Sequence, residues 1–206
     1  MSRSLNSKDW LRRHLTDSYV KRAKNDGYRS RAAYKLIELD DEAKLLKPAM
    51  TVVDLGSTPG GWSQVAAKKV GPKGLVVAID LLDMPPVPGV VFLKSDFSLP
   101  EGLNSLVEAL EGRQVDLVLS DLAPNLSGIA LTDQMRMFGL AEQVLEFSRE
   151  YLKPSGDMLI KVFQGSGYTE FVKAMREMFI KATVKKPHAS RAESSELYLL
   201  GKIKRH

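Results

Sequence analysis

Thr51-Val52-Val53-Asp54-Leu55-Gly56-Ser57-Thr58-Pro59-Gly60-Gly61-Trp62-Ser63 passes from a β-branched run through a glycine-rich turn into the first residues of a helix. Glycine permits the backbone conformations such a turn needs and lets the main chain come close to a ligand at the helix start. One glycine suffices for a plain strand-to-helix turn, whereas this one carries Gly56, Gly60 and Gly61. The dinucleotide fingerprint would need glycine at Thr58, which argues against a nicotinamide dehydrogenase. The turn also departs from the phosphate loop of nucleotide hydrolases, because Trp62 stands where the phosphate-binding lysine belongs. It suits a ligand without a pyrophosphate.

Outward from this turn, β-rich runs alternate with helical segments. Strands are expected at 51–55, 75–79, 90–93, 115–119, 158–163, 197–203 and, less strongly patterned, 182–184. Helices are expected at 62–70, 103–110, 133–152 and 168–179, and upstream at 30–46 with Ser30 as N-cap. The alternation predicts an α/β fold, a mostly parallel sheet with helices on both faces. There is no internal repeat, and the proline-rich piece Met84-Pro85-Pro86-Val87-Pro88-Gly89 is short enough to be a loop. Residues 1–206 read as a single domain with a basic N-terminal extension at about 1–30.

The ionisable residues fall in a pattern. Asp54, Asp80, Asp96 and Asp121 each end or closely follow a β run, and Lys161 interrupts the apolar run Met158-Leu159-Ile160-Lys161-Val162-Phe163. Ligands of open α/β sheets bind at the carboxyl ends of the strands, so these groups are expected to converge on one crevice. A buried ammonium without a partner costs several kcal/mol, and Asp121 is the natural partner for Lys161. Asp80 follows Gly56 at the spacing of a ribose-binding carboxylate, and Asp96 is placed to accept from an adenine amino group. A nucleoside without phosphates, ringed by carboxylates, points to S-adenosylmethionine, whose sulfonium is cationic.

The chain has 206 residues, 44% hydrophobic and 27% charged, with a net charge of +5 and no cysteine. A disulfide framework, a thiolate metal site and a cysteine nucleophile are thereby excluded, and His14, His188 and His206 are too scattered for a zinc cluster. No bound metal is expected. No run approaches the roughly 20 apolar residues of a membrane span, and residues 1–13 lack the apolar core of a leader, so no membrane partner and a cytoplasmic protein are expected. Residues 1–35 carry ten Lys/Arg against three Asp/Glu, and residues 181–206 carry seven against two, while the middle is acidic. A solvated helical face accounts for one basic run; two on one domain favour a nucleic-acid partner, through counterion release from phosphates.

The motifs together resemble those of the FtsJ/RrmJ family of ribosomal RNA 2′-O-ribose methyltransferases over almost the whole chain. The resemblance is carried by R-S-R-A-A-Y-K-L at 29–36, V-V-D-L-G-S-T-P-G-G-W-S-Q at 52–64, S-D-L-A-P-N-L-S-G at 120–128, I-K-V-F-Q-G at 160–165 and S-R-A-E-S-S-E-L-Y at 190–198. It implies that the family's Lys-Asp-Lys-Glu tetrad falls on Lys35, Asp121, Lys161 and Glu196. Its cofactor contacts fall on Gly60, Trp62, Asp80, Asp96 and Asp121, with Asp54 in the same crevice. Ser57-Thr58 departs from the small pair usual there and leaves the glycines intact. The implied fold is a Rossmann-like class I methyltransferase, a seven-stranded mostly parallel sheet with an antiparallel last strand. The implied donor is S-adenosylmethionine. For the bacterial branch, which the chain length favours, the acceptor is a uridine ribose in the A-loop of 23S rRNA, within the 50S subunit or a late precursor. A tRNA ribose methyltransferase and a non-catalytic RNA-binding assembly factor are the alternatives.

The reaction expected is an in-line displacement of the sulfonium methyl by a ribose 2′-oxygen. Alignment can supply about 7 to 11 kcal/mol, more than the roughly 10² to 10⁴ in rate that a general base adds. Lys161 is assigned as the base. Should it remain protonated it would stabilise the developing oxyanion, with Asp121 as proton acceptor. Lys35 positions substrate or eases deprotonation of Lys161, and Glu196, which opens an alternating E-L-Y-L run, holds Lys161 or the 2′-hydroxyl. Lys21, Arg22, Lys24, Arg29, Arg31 and Arg191 are the expected RNA contacts, to phosphates rather than bases. The Trp62 ring either stacks on substrate or packs the helix start.

Overall fold

In the computed structural model, which describes residues 17–124, 128, 130–191 and 194–206, the seven β runs pair into one sheet. The strands are β1 (Thr51–Leu55), β2 (Leu75–Asp80), β3 (Val90–Lys94), β4 (Val115–Ser120), β5 (Leu152–Phe163), β6 (Phe179–Lys185) and β7 (Glu196–Lys204). Their order is β3-β2-β1-β4-β5-β7-β6, and β7 alone runs against its neighbours. After β1 the chain builds outward through β2 and β3, then returns to lay β4 on the other side of β1. The carboxyl ends of β1 and β4 therefore flank the point where the order reverses, the place where sheets of this kind open a crevice.

Helices α1 (Ser18–Asn25), α2 (Ala32–Ala43), α3 (Gly61–Val70), α4 (Pro100–Ala109), α5 (Ala130–Tyr151) and α6 (Tyr168–Met178) complete the described elements. Strand side chains alternate between faces, so each strand feeds two cores. On one face α2 and α3 bury Ala33, Leu36, Leu39, Trp62, Val65 and Val70 against Val52, Val76, Leu117, Leu119, Leu159 and Tyr198. On the other, α4, α5 and α6 pack Leu106, Val144, Phe147, Phe171 and Met175 on Val53, Leu55, Val77, Val118, Ile160 and Val162. The described part of the expected basic extension is helix α1, seated on the domain through Ala23, Tyr34 and Ala189; residues 1–16 lie outside the described residues.

Several boundaries differ from the sequence expectation, and four of them have a visible cause. Helix α2 begins at Ala32, and Ser30 is not its cap: the Ser30 hydroxyl is turned toward Gly61, where a Cβ would lie 2.4 Å from it, and it has no hydrogen-bond partner. The helix stops at Ala43, short of residue 46, because Lys44 takes the left-handed conformation. β5 starts at Leu152, directly after α5 and ahead of the expected residue 158; its first half contains Pro154, Ser155 and Gly156, residue types that favour turns over strands. Phe179, expected to end a helix, is instead the first residue of β6, its ring pressed against Gly201 so closely that a Cβ there would lie 2.4 Å away.

Trp62 is core. Its ring is 3% exposed, lies 5.7 Å from the Tyr198 ring, and its Nε1–H donates to Ala32 O at 2.8 Å, which ties α3 to α2 and leaves no face for substrate stacking. Trp62→Phe keeps most of the packing and removes the indole N–H that joins α3 to α2. The expected cost is about 1–3 kcal/mol of unfolding free energy, read from urea denaturation.

Candidate active site

Register places three of the four tetrad-type side chains. β5 and β7 pair antiparallel with Lys161 opposite Tyr198 and Phe163 opposite Glu196, and directly opposed residues share a face of the sheet. The alternation of Glu196-Leu197-Tyr198-Leu199 then turns Glu196 and Tyr198 to the α2/α3 side, while Leu199 enters the other core. Asp121 arrives from the next strand over, one residue past the end of β4. Lys35 is brought in by α2, whose neighbours Ala33, Leu36 and Leu39 are buried in the same core.

The result is a continuous polar chain. Lys161, 8% exposed, donates from Nζ to Asp121 O at 2.6 Å and lies 3.0 Å from Asp121 Oδ1. The same Oδ1 accepts the Tyr198 hydroxyl at 3.0 Å. Tyr198 in turn accepts from Lys35 Nζ at 3.3 Å, and Lys35 forms an ion pair with Glu196. Burial, then the charges of Asp121 and Glu196 and the hydrogen bond to Asp121, raise the Tyr198 hydroxyl well above the ordinary phenol range, so it remains a donor. Burial pushes the Glu196 carboxyl up, but the adjacent Lys35 ammonium, together with the charge of Lys161, outweighs it and holds the group below its usual value. Tyr198 is the member of this cluster that sequence reasoning missed. Its signal was present, a phenol two residues after Glu196 in an alternating run, but the register that sets it opposite Lys161 was not.

On the β1 and β2 side the crevice is acidic. Asp54 is fully buried; its Oδ2 accepts the Ser63 hydroxyl at 2.6 Å and its Oδ1 has no partner. Burial raises the Asp54 carboxyl to about 7, with Asp121 and Asp80 adding to the rise against the Ser63 hydrogen bond. Gly56 has φ +78°, and a Cβ on it would lie 3.0 Å from the Leu122 backbone, so only glycine lets the turns after β1 and β4 meet. Asp80 accepts the N–H groups of Thr58 at 2.9 Å and Leu82 at 2.8 Å, which fixes its carboxylate beside the glycine turn. Asp96 accepts from Ser98 N at 2.8 Å and Ser98 Oγ at 2.6 Å. Two buried oxygens without partners, Asp54 Oδ1 and Ser57 Oγ, and a concentration of carboxylates fit a cationic, hydrogen-bonding nucleoside such as S-adenosylmethionine. Among the described residues, no group of three or more His, Asp or Glu side chains is arranged to hold a metal ion. Nor is any helix among them long and apolar enough to cross a membrane.

The expected RNA contacts divide. Lys21 and Lys24 are exposed on α1, and Arg22 is exposed beside them with its guanidinium 4.5 Å above the Tyr34 ring. Arg31 is instead engaged by the protein, pairing with Asp17 and donating to Ala189 O. Arg191 lies 3.6 Å from the same Asp17 carboxylate. Arg29 donates to carbonyls of two loops. Arg31 and Lys35, one helical turn apart, therefore serve separate partners, Asp17 and Glu196, rather than one shared anion.

A switch-point crevice, acidic on the side of β1 and β2 and lysine-bearing on the side of β5 and β7, on a sheet with one reversed strand, defines a Rossmann-like methyltransferase. The chain belongs to the FtsJ-like methyltransferase family, whose model matches residues 28–204, and its cofactor is S-adenosylmethionine. It is 55% identical over 206 residues, the whole of both chains, to ribosomal RNA large subunit methyltransferase E of Methylobacillus flagellatus. To the protein of the same name from Dechloromonas aromatica it is 57% identical over 205 residues, again 100% of each. Among solved structures, a Plasmodium falciparum protein described as a ribosomal RNA methyltransferase superimposes with a TM-score of 0.75 at 30% identity, covering 86% of this chain and 98% of that one. Fibrillarin from Aeropyrum pernix, solved with natively bound S-adenosyl-L-methionine, shares the fold at TM-score 0.57 and 16% identity, over 84% of this chain and 75% of its own.

Two outcomes follow from the site. Asp54 binds its proton more tightly folded than unfolded, so its contribution to stability is fully present at acid pH and is lost as pH rises from about 4 to about 7. Compared by urea denaturation across that window, Asp54→Asn is expected to show a flatter profile than the wild type. Tyr198→Phe keeps the ring and deletes one hydrogen bond to a charged group. It is expected to slow methyl transfer by roughly 10-fold to 100-fold while changing the melting temperature by only a few degrees.

Proposed function

We propose that the protein transfers a methyl group from S-adenosylmethionine to the ribose 2′-oxygen of a uridine in the A-loop of 23S rRNA. The acceptor is presented in the 50S subunit or a late precursor, which places the protein with ribosomes in the cytoplasm. The observation that carries this reading is the Lys161–Asp121 pair beside the glycine turn. The full-length similarity to large-subunit rRNA methyltransferases supports the choice of RNA.

Bound S-adenosylmethionine supplies an electrophilic methyl on a sulfonium, and the leaving group is the neutral thioether. The chain has to orient the acceptor oxygen and remove its proton. Lys161 must be neutral when it acts; in that form the amine has two N–H donors and one lone pair, and its two contacts with Asp121 match those donors. The lone pair is then left for the 2′-hydroxyl, and Lys161 takes that proton as the methyl–oxygen bond forms. Asp121, held by the Tyr198 hydroxyl and by its own N–H to Leu55 O at 3.1 Å, fixes the direction of the amine. Lys35 and Glu196 form the opposite wall, where Lys35 holds the acceptor nucleotide and Glu196 keeps that lysine in place. Gly60, the backbone of Trp62, Asp80 and Asp96 bind the nucleoside part of the cofactor, with Asp54 supporting the turn through Ser63. Lys21, Arg22 and Lys24 meet RNA phosphates.

The test is to incubate the protein with labelled S-adenosylmethionine and undermethylated large subunits, free 23S rRNA or tRNA, with Lys161→Ala alongside. Label is expected in the large-subunit RNA, at a single A-loop ribose, and Lys161→Ala is expected to lose at least 10²-fold in rate. Label in tRNA alone would move the protein to another substrate. Cofactor binding with no RNA labelled would leave an assembly factor, and equal labelling by Lys161→Ala would remove Lys161 as the base.

A further inference from the structure

Arg29, expected from sequence as a phosphate contact, is half-buried, and its guanidinium bonds main-chain carbonyls of two surface loops. It donates to Pro85 O at 2.5 Å, Pro86 O at 2.6 Å and Pro59 O at 3.4 Å. Pro59 belongs to the glycine turn after β1, and Pro85 and Pro86 to the loop after β2. Its main-chain N–H donates to Gln64 Oε1 at 2.8 Å, and Gln64 Nε2 donates back to Gly27 O at 3.0 Å, which pins the segment between α1 and α2 to α3. The same residue roofs the turn. A Cβ on Gly60 would lie 2.8 Å from Met84 Sδ and 3.2 Å from both Arg29 Nη1 and Val87 Cγ2.

One other tie joins these two loops. The Thr58 N–H donates to Asp80 and the Thr58 hydroxyl to Leu82 O at 3.1 Å. Beyond that, the loop after β2 is held by the small cluster of Ala78, Met84 and Val87 and by an ion pair from Asp83 to Lys94 at the end of β3. Asp80 sits between the two ties, its carboxylate gripped by an N–H from each loop. Parting the loops would therefore move the carboxylate that faces the cofactor ribose. Three carbonyls spread over two loops suit the wide, planar set of donors on arginine better than the compact ammonium of lysine, whereas the salt dependence of a phosphate contact follows charge alone.

From this geometry we infer that Arg29 is a positioning residue for S-adenosylmethionine, a clasp that closes the proline-rich loop onto the glycine turn, and not a contact for RNA phosphate. The inference rests on the cofactor site as read above. It separates cleanly from the RNA role it replaces, because lysine preserves charge and loses the fork.

Wild type, Arg29→Lys and Arg29→Ala are titrated with S-adenosylmethionine by calorimetry, their KM values for cofactor and RNA are measured, and RNA affinity is followed against salt concentration. Both variants are expected to bind the cofactor about tenfold or more weakly, with the KM for cofactor rising in parallel and the KM for RNA within about twofold of wild type. The slope of log affinity for RNA against log salt is expected to stay unchanged. Arg29→Lys binding cofactor as tightly as wild type overturns the inference. So does a salt slope shallower by roughly 0.7 to 0.9 in Arg29→Ala, the signature of one lost phosphate contact. Where Arg29→Ala melts too low to assay, Arg29→Lys alone decides. Failure of the wild type to bind cofactor would instead sink the cofactor site, an outcome distinct from variants that bind as wild type does.

Discussion

A lysine nitrogen inside a sheet is the constraint around which the rest of this molecule is arranged. Lys161 occupies a strand position whose neighbours Leu159, Ile160 and Val162 are buried, and there a group that carries charge in water needs bonded partners. The main-chain oxygen and the carboxylate of Asp121 supply them from the adjacent strand end. That demand fixes how far β4 extends beside β5 and which way the chain turns after Ser120. The carboxylate so placed then organises its surroundings, accepting Tyr198 and, through it, engaging Lys35 from a helix far away in sequence.

The polarity of the crevice follows from which side of that pair one stands on. Toward β1 and β2 burial, with the charges of Asp121 and Asp80 adding to it, raises the Asp54 carboxyl to about 7, so it is only partly ionised at pH 7. Toward β5 and β7 the lysines dominate, and Glu196 stays ionised because Lys35 is beside it. A cationic donor and an anionic polymer are thus each met by groups of opposite sign, with the transferred methyl passing between the two regions. The exposed cations of α1 extend the positive side along the surface.

The strands with strong apolar patterns, the glycine turn and the carboxylates at strand ends were all legible in the sequence, because each is a local signal. The Lys161–Asp121 contact was legible for a different reason: an ammonium in an apolar run needs an anion, and the crevice rule names the nearest one. What could not be read depended on tertiary placement. Ser30 has the chemistry of a cap, yet the close approach of Gly61 redirects its hydroxyl. Phe179 continues a helical period, yet pairing with β7 pulls it into the sheet. Tyr198 looks like one more aromatic in an alternating strand until the register sets it beside Lys161. Arg29 and Arg31 look like the exposed cations of a basic segment, and only the packing of that segment on the domain reveals the carbonyls and the carboxylate they hold.

β7 enters the sheet between two strands that precede it in the chain, and among the strands β6 pairs with nothing else. Without the insertion of β7, β5 would present an open edge and β6 would have no place in the sheet. The same insertion delivers Glu196 and Tyr198. A chain that has collapsed without it holds the acidic half of the crevice but lacks the groups that steady Lys35 and Asp121. The side chains that steady Lys35 and Asp121 therefore reach the crevice only with closure of the sheet.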